Sequence, residues 1–112
     1  MEYIIRGTTP SFIVRLNGTG ITVADVENAV LTIVRKTETQ KLYLDDLEVD
    51  HADNLIFYHF SQEETLALRN GESLYFEMDI LANGERYRAV SETHQVKNTA
   101  HPEVLEEVSN NG

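Results

Sequence analysis

Five carboxylates crowd one short stretch of the chain: Asp45, Asp46, Glu48, Asp50 and Asp53. Such a run holds calcium when alternate residues supply oxygen ligands, a glycine turns the loop and a distant Glu completes the shell. The D-x-D-x-D-G order is missing here, so the stretch reads as the solvated face of a strand beside a turn. The histidines are His51, His59, His94 and His101, and no pair has the H-x-x-x-H spacing of a zinc-binding helix. His51 with Asp53 makes at most a two-group ligand pair, and His59, inside an apolar run, reads as a core residue. The chain has no cysteine, which removes disulfides, thiolate metal sites and cysteine nucleophiles together. There is no G-x-S-x-G elbow and no glycine-rich phosphate cradle. Asn17-Gly18-Thr19 matches a glycosylation triplet, a weak three-residue signal. From these residues the expectation is a protein without catalytic, cofactor-binding or metal site, and not an enzyme.

Charge narrows the partners. Nineteen Asp and Glu stand against nine Lys and Arg, a net charge of -10 over 112 residues. That balance repels phosphate backbones and anionic lipid, so neither nucleic acid nor a membrane is an expected partner. No apolar window approaches the roughly 20 residues of a membrane span. The first residues, MEYIIRGTTP, lack a basic, apolar leader pattern, which implies synthesis in the cytoplasm.

The elements that must position these groups are mostly strands. Residues 11–16 alternate, with Phe12, Val14 and Leu16 on one face. Residues 17–20 form a turn by composition. Residues 22–28 are short, polar and acidic, and read as a loop with one helical turn near Asp25. Residues 29–36 (AVLTIVRK) and 55–60 (LIFYHF) are apolar on both parities, as strands buried on both faces would be. Between them, Leu42 and Leu44 share one parity while Leu47 and Val49 have the other. A bulge or tight turn at Asp45-Asp46 would repair that slip. Residues 73–81 show the cleanest alternation, with Leu74, Phe76, Met78 and Ile80 inward and Glu77 and Asp79 outward. Asn83-Gly84 then predicts a type I′ hairpin, since both central residues need positive φ. The return strand spans 86–96, preceded in the chain by a short apolar start at Tyr3–Ile5.

One stretch departs from this rhythm. FSQEETLALRNGES, residues 60–73, carries an S-x-x-E capping box at Ser61 and Glu64. Glu63 and Glu64 lie at the positive end of the helix dipole and Arg69 near the negative end. Gly71 suits the left-handed stop. The signals predict a helix over about 62–70, too short to stand alone in water, so it must dock its leucines. Its expected task is to lid one end of the fold or to carry the chain from one sheet to the other. A minor alternative has it presenting Glu63 or Arg69 to a partner.

The pattern as a whole predicts a mainly β protein. It is an antiparallel β-sandwich of immunoglobulin-like strand number with one short α-helix. Residues 1–98 form the single domain. Residues 99–112 form a polar tail, with a short helix opening at Pro102 and a disordered end from Ser109. A two-layer sandwich covers only one face of each sheet, so the doubly apolar strands leave excess apolar surface for self-association or docking.

Three pieces of this order resemble a known group: RGTTPSF (residues 6–12), DVENAVLTIVRK (25–36) and FSQEETLALRNGESLYFEMDI (60–80). They are similar to small structural proteins of bacteriophages and prophages of Gram-positive bacteria. In those, an R-G-x-T-P-x-F start, an A-x-L-T-I strand and an S/T-Q-E-E-T-L helix recur in that order. The resemblance spans roughly residues 6–96. It implies a virion-associated tail or baseplate protein without catalysis or cofactor, and supplies no active-site residues. The expected partners are copies of itself or other phage structural proteins, through Tyr58, Phe60, Leu66, Leu68 and Tyr75. The alternative is a carbohydrate-binding accessory module using Tyr43, Tyr58, Tyr75 and Tyr87 as stacking platforms.

Overall fold

The structure, a computed structural model, describes residues 3–108. Eight strands make up half of it: β1 (Tyr3–Ile5), β2 (Ser11–Arg15), β3 (Val26–Val34), β4 (Thr39–Tyr43), β5 (Glu48–Asp50), β6 (Leu55–His59), β7 (Ser73–Ala82) and β8 (Glu85–Lys97). A single α-helix, α1, spans Gln62–Leu66. The strands form two sheets. One has five strands in the order β1-β8-β7-β3-β4, and the other has three in the order β2-β6-β5. The mainly β, two-sheet architecture is the one the periodicity predicts. All pairings are antiparallel except β1 on β8, which is parallel.

The inner faces meet in one apolar core. Leu31, Ile33, Leu74, Phe76 and Met78 come from the five-stranded sheet, and Phe12, Val14 and Ile56 from the smaller one. Phe12 stacks on Phe76 with ring centroids 4.7 Å apart. A buried histidine joins them, but it is His94 and not His59. The edge of its ring meets both Phe12 and Phe76, and its Nε2 lies 2.9 Å from the Glu92 carboxylate. His59 sits on the outer face of β6, with Nδ1 2.8 Å from the Ser11 hydroxyl.

Two phase changes set which residues enter this core. A 3-10 turn at Leu44–Asp46 takes the chain from β4 in the large sheet to β5 in the small one. It answers the parity slip between Leu42 and Leu47. The second lies in β8. The Asn83-Gly84 hairpin, with φ of 54° and 76°, sets Ala82 opposite Glu85 and Asp79 opposite Arg88. The register then shifts so that Met78 faces Val90, leaving Ala89 as the extra residue of a bulge. Without it, Val90, His94 and Val96 would point to the outer face.

α1 carries the chain from β6 to β7, and so from one sheet to the other. Its capping box is complete: Ser61 Oγ accepts from Glu64 N–H at 3.1 Å, and the Glu64 carboxylate accepts from Ser61 N–H at 2.9 Å. The helix is shorter than its sequence signals predict. The Glu72 carboxylate accepts Arg69 N–H, which a longer helix would have bonded to its own backbone. Glu72 is held in turn by Arg35 through two bonds of 2.6 and 3.0 Å. Gly71 takes the expected positive φ and donates its N–H to Val96, joining the chain to the sheet.

Thr65 fixes the helix in place. It is fully buried. Its hydroxyl accepts from Gly7 N–H at 2.9 Å and donates to Thr8 C=O at 2.8 Å. Beside it, the Arg6 guanidinium donates to Leu66 C=O at 2.9 Å, at the carbonyl end of the helix. Gly7 has φ +84°, and a Cβ there would sit 3.4 Å from the Leu66 side chain.

Two expectations are corrected. Residues 26–28 are not loop but the start of β3, where Glu27 accepts the N–H of Gly84 from the hairpin. The turn near Asp25 is present as a 3-10 turn at Val23–Asp25. The helix expected from Pro102 is absent. The side-chain amide of Gln62 bonds Leu105 C=O at 2.8 Å and Leu105 N–H at 2.6 Å, occupying the groups a helix would pair. Residues 109–112, expected to be disordered, lie outside the described residues.

Thr65→Val keeps shape but orphans Gly7 N–H and Thr8 C=O. It should cost about 2–3 kcal/mol in urea unfolding, while Thr65→Ser stays within about 1 kcal/mol of wild type.

Candidate docking surfaces

On the small sheet, pairing places Ile13 beside Phe57 and Arg15 beside Leu55, all on the outer face. Ile13 is 47% exposed, and Phe57 and Leu55 are half-buried. Around them stand Arg15, Glu48, Asp50 and His59. The face is a small apolar row in a polar rim. It is bounded by the edges of β2 and β5, each of which, among the described residues, pairs with β6 alone.

On the large sheet, the outer face carries a charge cluster. Asp79 in β7 is 5% exposed. Its carboxylate accepts two bonds from Arg86, at 2.8 and 2.6 Å, and a further bond from Arg88 Nε. Arg88 also reaches Glu77 at 2.8 Å. The hydrogen bond from Arg88, then that from Arg86, hold the Asp79 carboxyl below the usual carboxylate range against the opposing effect of burial. Both arginine side chains stay more than half exposed, so they roof the carboxylate while keeping contact with water. Beside this cluster lies a groove of about 510 Å³, lined by Val30, Thr32, Lys41, Tyr43, Leu81 and Arg86 among others. It reaches β4, whose far edge carries no strand among the described residues.

The five residues expected to make contacts fall in different places. Phe60 and Leu68 are buried core residues. They flank a small cavity of about 200 Å³ with Ile33 and Leu74, at the end of the sandwich that α1 closes. Tyr58 points inward from β6, its ring edge-on to Phe60, and donates its hydroxyl to Glu64. Burial, then the bond to Glu64, raises its pKa. Leu66 is half-buried, with Gly7 close beside its side chain. Tyr75 is half-buried on the outer face of the large sheet, bonded to Glu77 at 3.1 Å. The tyrosines therefore share no platform. Tyr43 and Tyr75 lie on the outer face of the large sheet, Tyr58 points into the sandwich, and Tyr87 follows the inward parity of β8 beside Ile80. Glu63 and Arg69 are exposed.

Among the described residues, no three His, Asp or Glu side chains gather as a metal site would require. No described helix is long and apolar enough to cross a membrane. The Asp79 cluster was partly readable, because the Asn-Gly turn sets Arg88 opposite Asp79. Asn54 carried no such signal. Its φ is +58°, and its side chain bonds Val23 N–H at 2.7 Å and Ile21 C=O at 3.1 Å, tying the 17–25 loop to the small sheet.

No protein-family model matches the chain, and no curated protein sequence matches it.

Asp79 binds fewer protons folded than unfolded, so its contribution is present above the ordinary carboxylate pKa and is lost as pH falls through the lower, folded value. Glu72, lowered chiefly by its bond from Arg35, acts in the same direction. Stability should fall as pH drops from about 4 toward 2. Thermal melts of Asp79→Asn should show a shallower fall, and a cost of about 1–3 kcal/mol near neutral pH.

Proposed function

We propose that this chain is a non-enzymatic assembly module of a phage or prophage particle, associated with the tail or baseplate and acting by protein–protein docking. The observation that carries the docking part is the apolar row Ile13, Leu55 and Phe57 on the outer face of the small sheet, set between two open strand edges. A strand edge offers unpaired N–H and C=O groups, and the apolar row offers area to bury beside them. The phage part rests on the order of the RGTTPSF, A-V-L-T-I and SQEETL motifs. The first and last of these meet in space. Gly7 and Thr8 bond Thr65, Arg6 bonds Leu66, and Phe60 N–H bonds Pro10 C=O at 2.9 Å. The first and last motifs thus form one structural junction, which supports reading them as folding signals and not as a chemical site.

Within a particle, such a module would contribute a rigid sandwich whose faces are the working parts. Virion association follows from this reading, and the contact residues it favours are Ile13, Leu55 and Phe57 in place of Phe60 and Leu68.

Ile13→Asp should leave the melting temperature nearly unchanged, since the side chain is half exposed, with a cost within about 0.5–1 kcal/mol. It should abolish docking on neighbouring structural gene products, read as loss of co-purification. Association that survives Ile13→Asp and Phe57→Asp alike would refute this surface.

A further inference from the structure

Three of the nine cationic residues, Lys41, Arg86 and Arg88, stand on or beside the outer-face groove of the large sheet. Glu77 and Asp79 are the acids of the groove, and Arg86 and Arg88 already pair with them. Lys41 enters no ion pair among the described residues. The same groove presents apolar area through Tyr43, which is 49% exposed, with Val30 and Leu81.

Residues 102–108 have the opposite character. PEVLEEV carries three glutamates and no cation, interleaved with Val104, Leu105 and Val108. Leu105 is 70% exposed and Val108 86% exposed. The segment is attached through its backbone, by the paired bonds between Gln62 and Leu105, while its apolar side chains project into solvent. Two good hydrogen bonds thus hold in place a segment whose apolar side chains have no cover.

We propose that residues 102–108 of one copy dock in the outer-face groove of a second copy, with Val104, Leu105 and Val108 against Tyr43, Val30 and Leu81 and the glutamates beside Lys41 and Arg86. This deepens the assembly reading above by naming a partner and its binding segment. The occupant is a second copy because the groove lies toward the Asn83-Gly84 hairpin, whereas the segment leaves from the other end of β8, after Lys97. The stretch of strand from Arg88 to Lys97 is about 30 Å long. To reach its own groove the segment would have to leave Gln62 and double back along the whole sheet. Groove and segment are different patches, so each copy offers one of each. The contact is head-to-tail and builds rings or filaments instead of closing a twofold dimer. Charge gives it a signature: association weakens as salt rises, because the glutamates and Lys41 are exposed.

The chain has no cysteine, so single thiols can be placed cleanly. Tyr43→Cys protein mixed with Leu105→Cys protein should form a disulfide-linked heterodimer under mild oxidation, well above an Ile13→Cys and Leu105→Cys control mixture. Leu105→Asp should weaken self-association about tenfold or more by sedimentation velocity. Lys41→Glu should weaken it too. Mixing Lys41→Glu protein with a Glu106→Lys, Glu107→Lys variant should restore association, since the acidic segment of the first then meets the intact groove of the second. Cross-linking no better than the control overturns the proposal. So does a groove that binds a glycan array hit while ignoring a peptide of residues 99–108. Association lost with Ile13→Asp but indifferent to Leu105→Asp and Lys41→Glu overturns it while leaving the assembly reading standing.

Discussion

A single hydroxyl, that of Thr65, joins the two ends of the structural logic. It accepts from Gly7 and donates to Thr8, so it satisfies two backbone groups of a turn that has no ladder of its own. That turn connects β1, in the large sheet, to β2, in the small one. α1 makes the same crossing in the other direction, from β6 to β7. The two crossings are therefore pinned to each other at one fully buried atom. The positions of both sheets depend on it, because each crossing fixes how one strand of each layer lies over the other. Arg6, bonded to Leu66 and to Asn98, extends the clamp to the chain leaving β8.

The large sheet uses a different device. A carboxylate on the outer face of a central strand would usually be solvated, yet Asp79 is buried by the arginines that neutralise it. The cluster depends on register. The tight hairpin delivers Arg86 and Arg88 to the outer face, and the bulge at Ala89 then returns Val90, His94 and Val96 to the core. One irregularity reconciles a polar outer face with an apolar inner one along a single thirteen-residue strand. The shaped, charged surface of this sheet follows from that count of residues.

Much of this was legible in the residues. Alternation placed Leu74, Phe76, Met78 and Ile80 inward, the parity slip marked the turn at Leu44–Asp46, and the capping box located the start of α1. The end of α1 was not legible, because it is set by Glu72, a residue held by Arg35 from a different strand. His94 fills the core place expected of His59, for a similar reason: a bulge in β8 turns His94 inward, and the pairing of β6 with β2 sets His59 beside Ser11 on an outer face. Phe60 and Leu68 carry the same apolar signal whether they fill a core or a contact. Only the sheet order, which brings Ile13 beside Phe57, shows where apolar surface remains.

The parallel pairing of β1 with β8 sets Tyr3 opposite Gln95 and Ile5 opposite Lys97. An edge of the five-stranded layer thus joins segments drawn from opposite extremes of the described sequence. Closing so large a loop costs entropy before any contact repays it, which places this topology among slow-forming ones. On a translating ribosome, Ile4 must wait for Val96 to emerge before it finds its neighbour, leaving an apolar strand bare while the more than ninety residues between them are made.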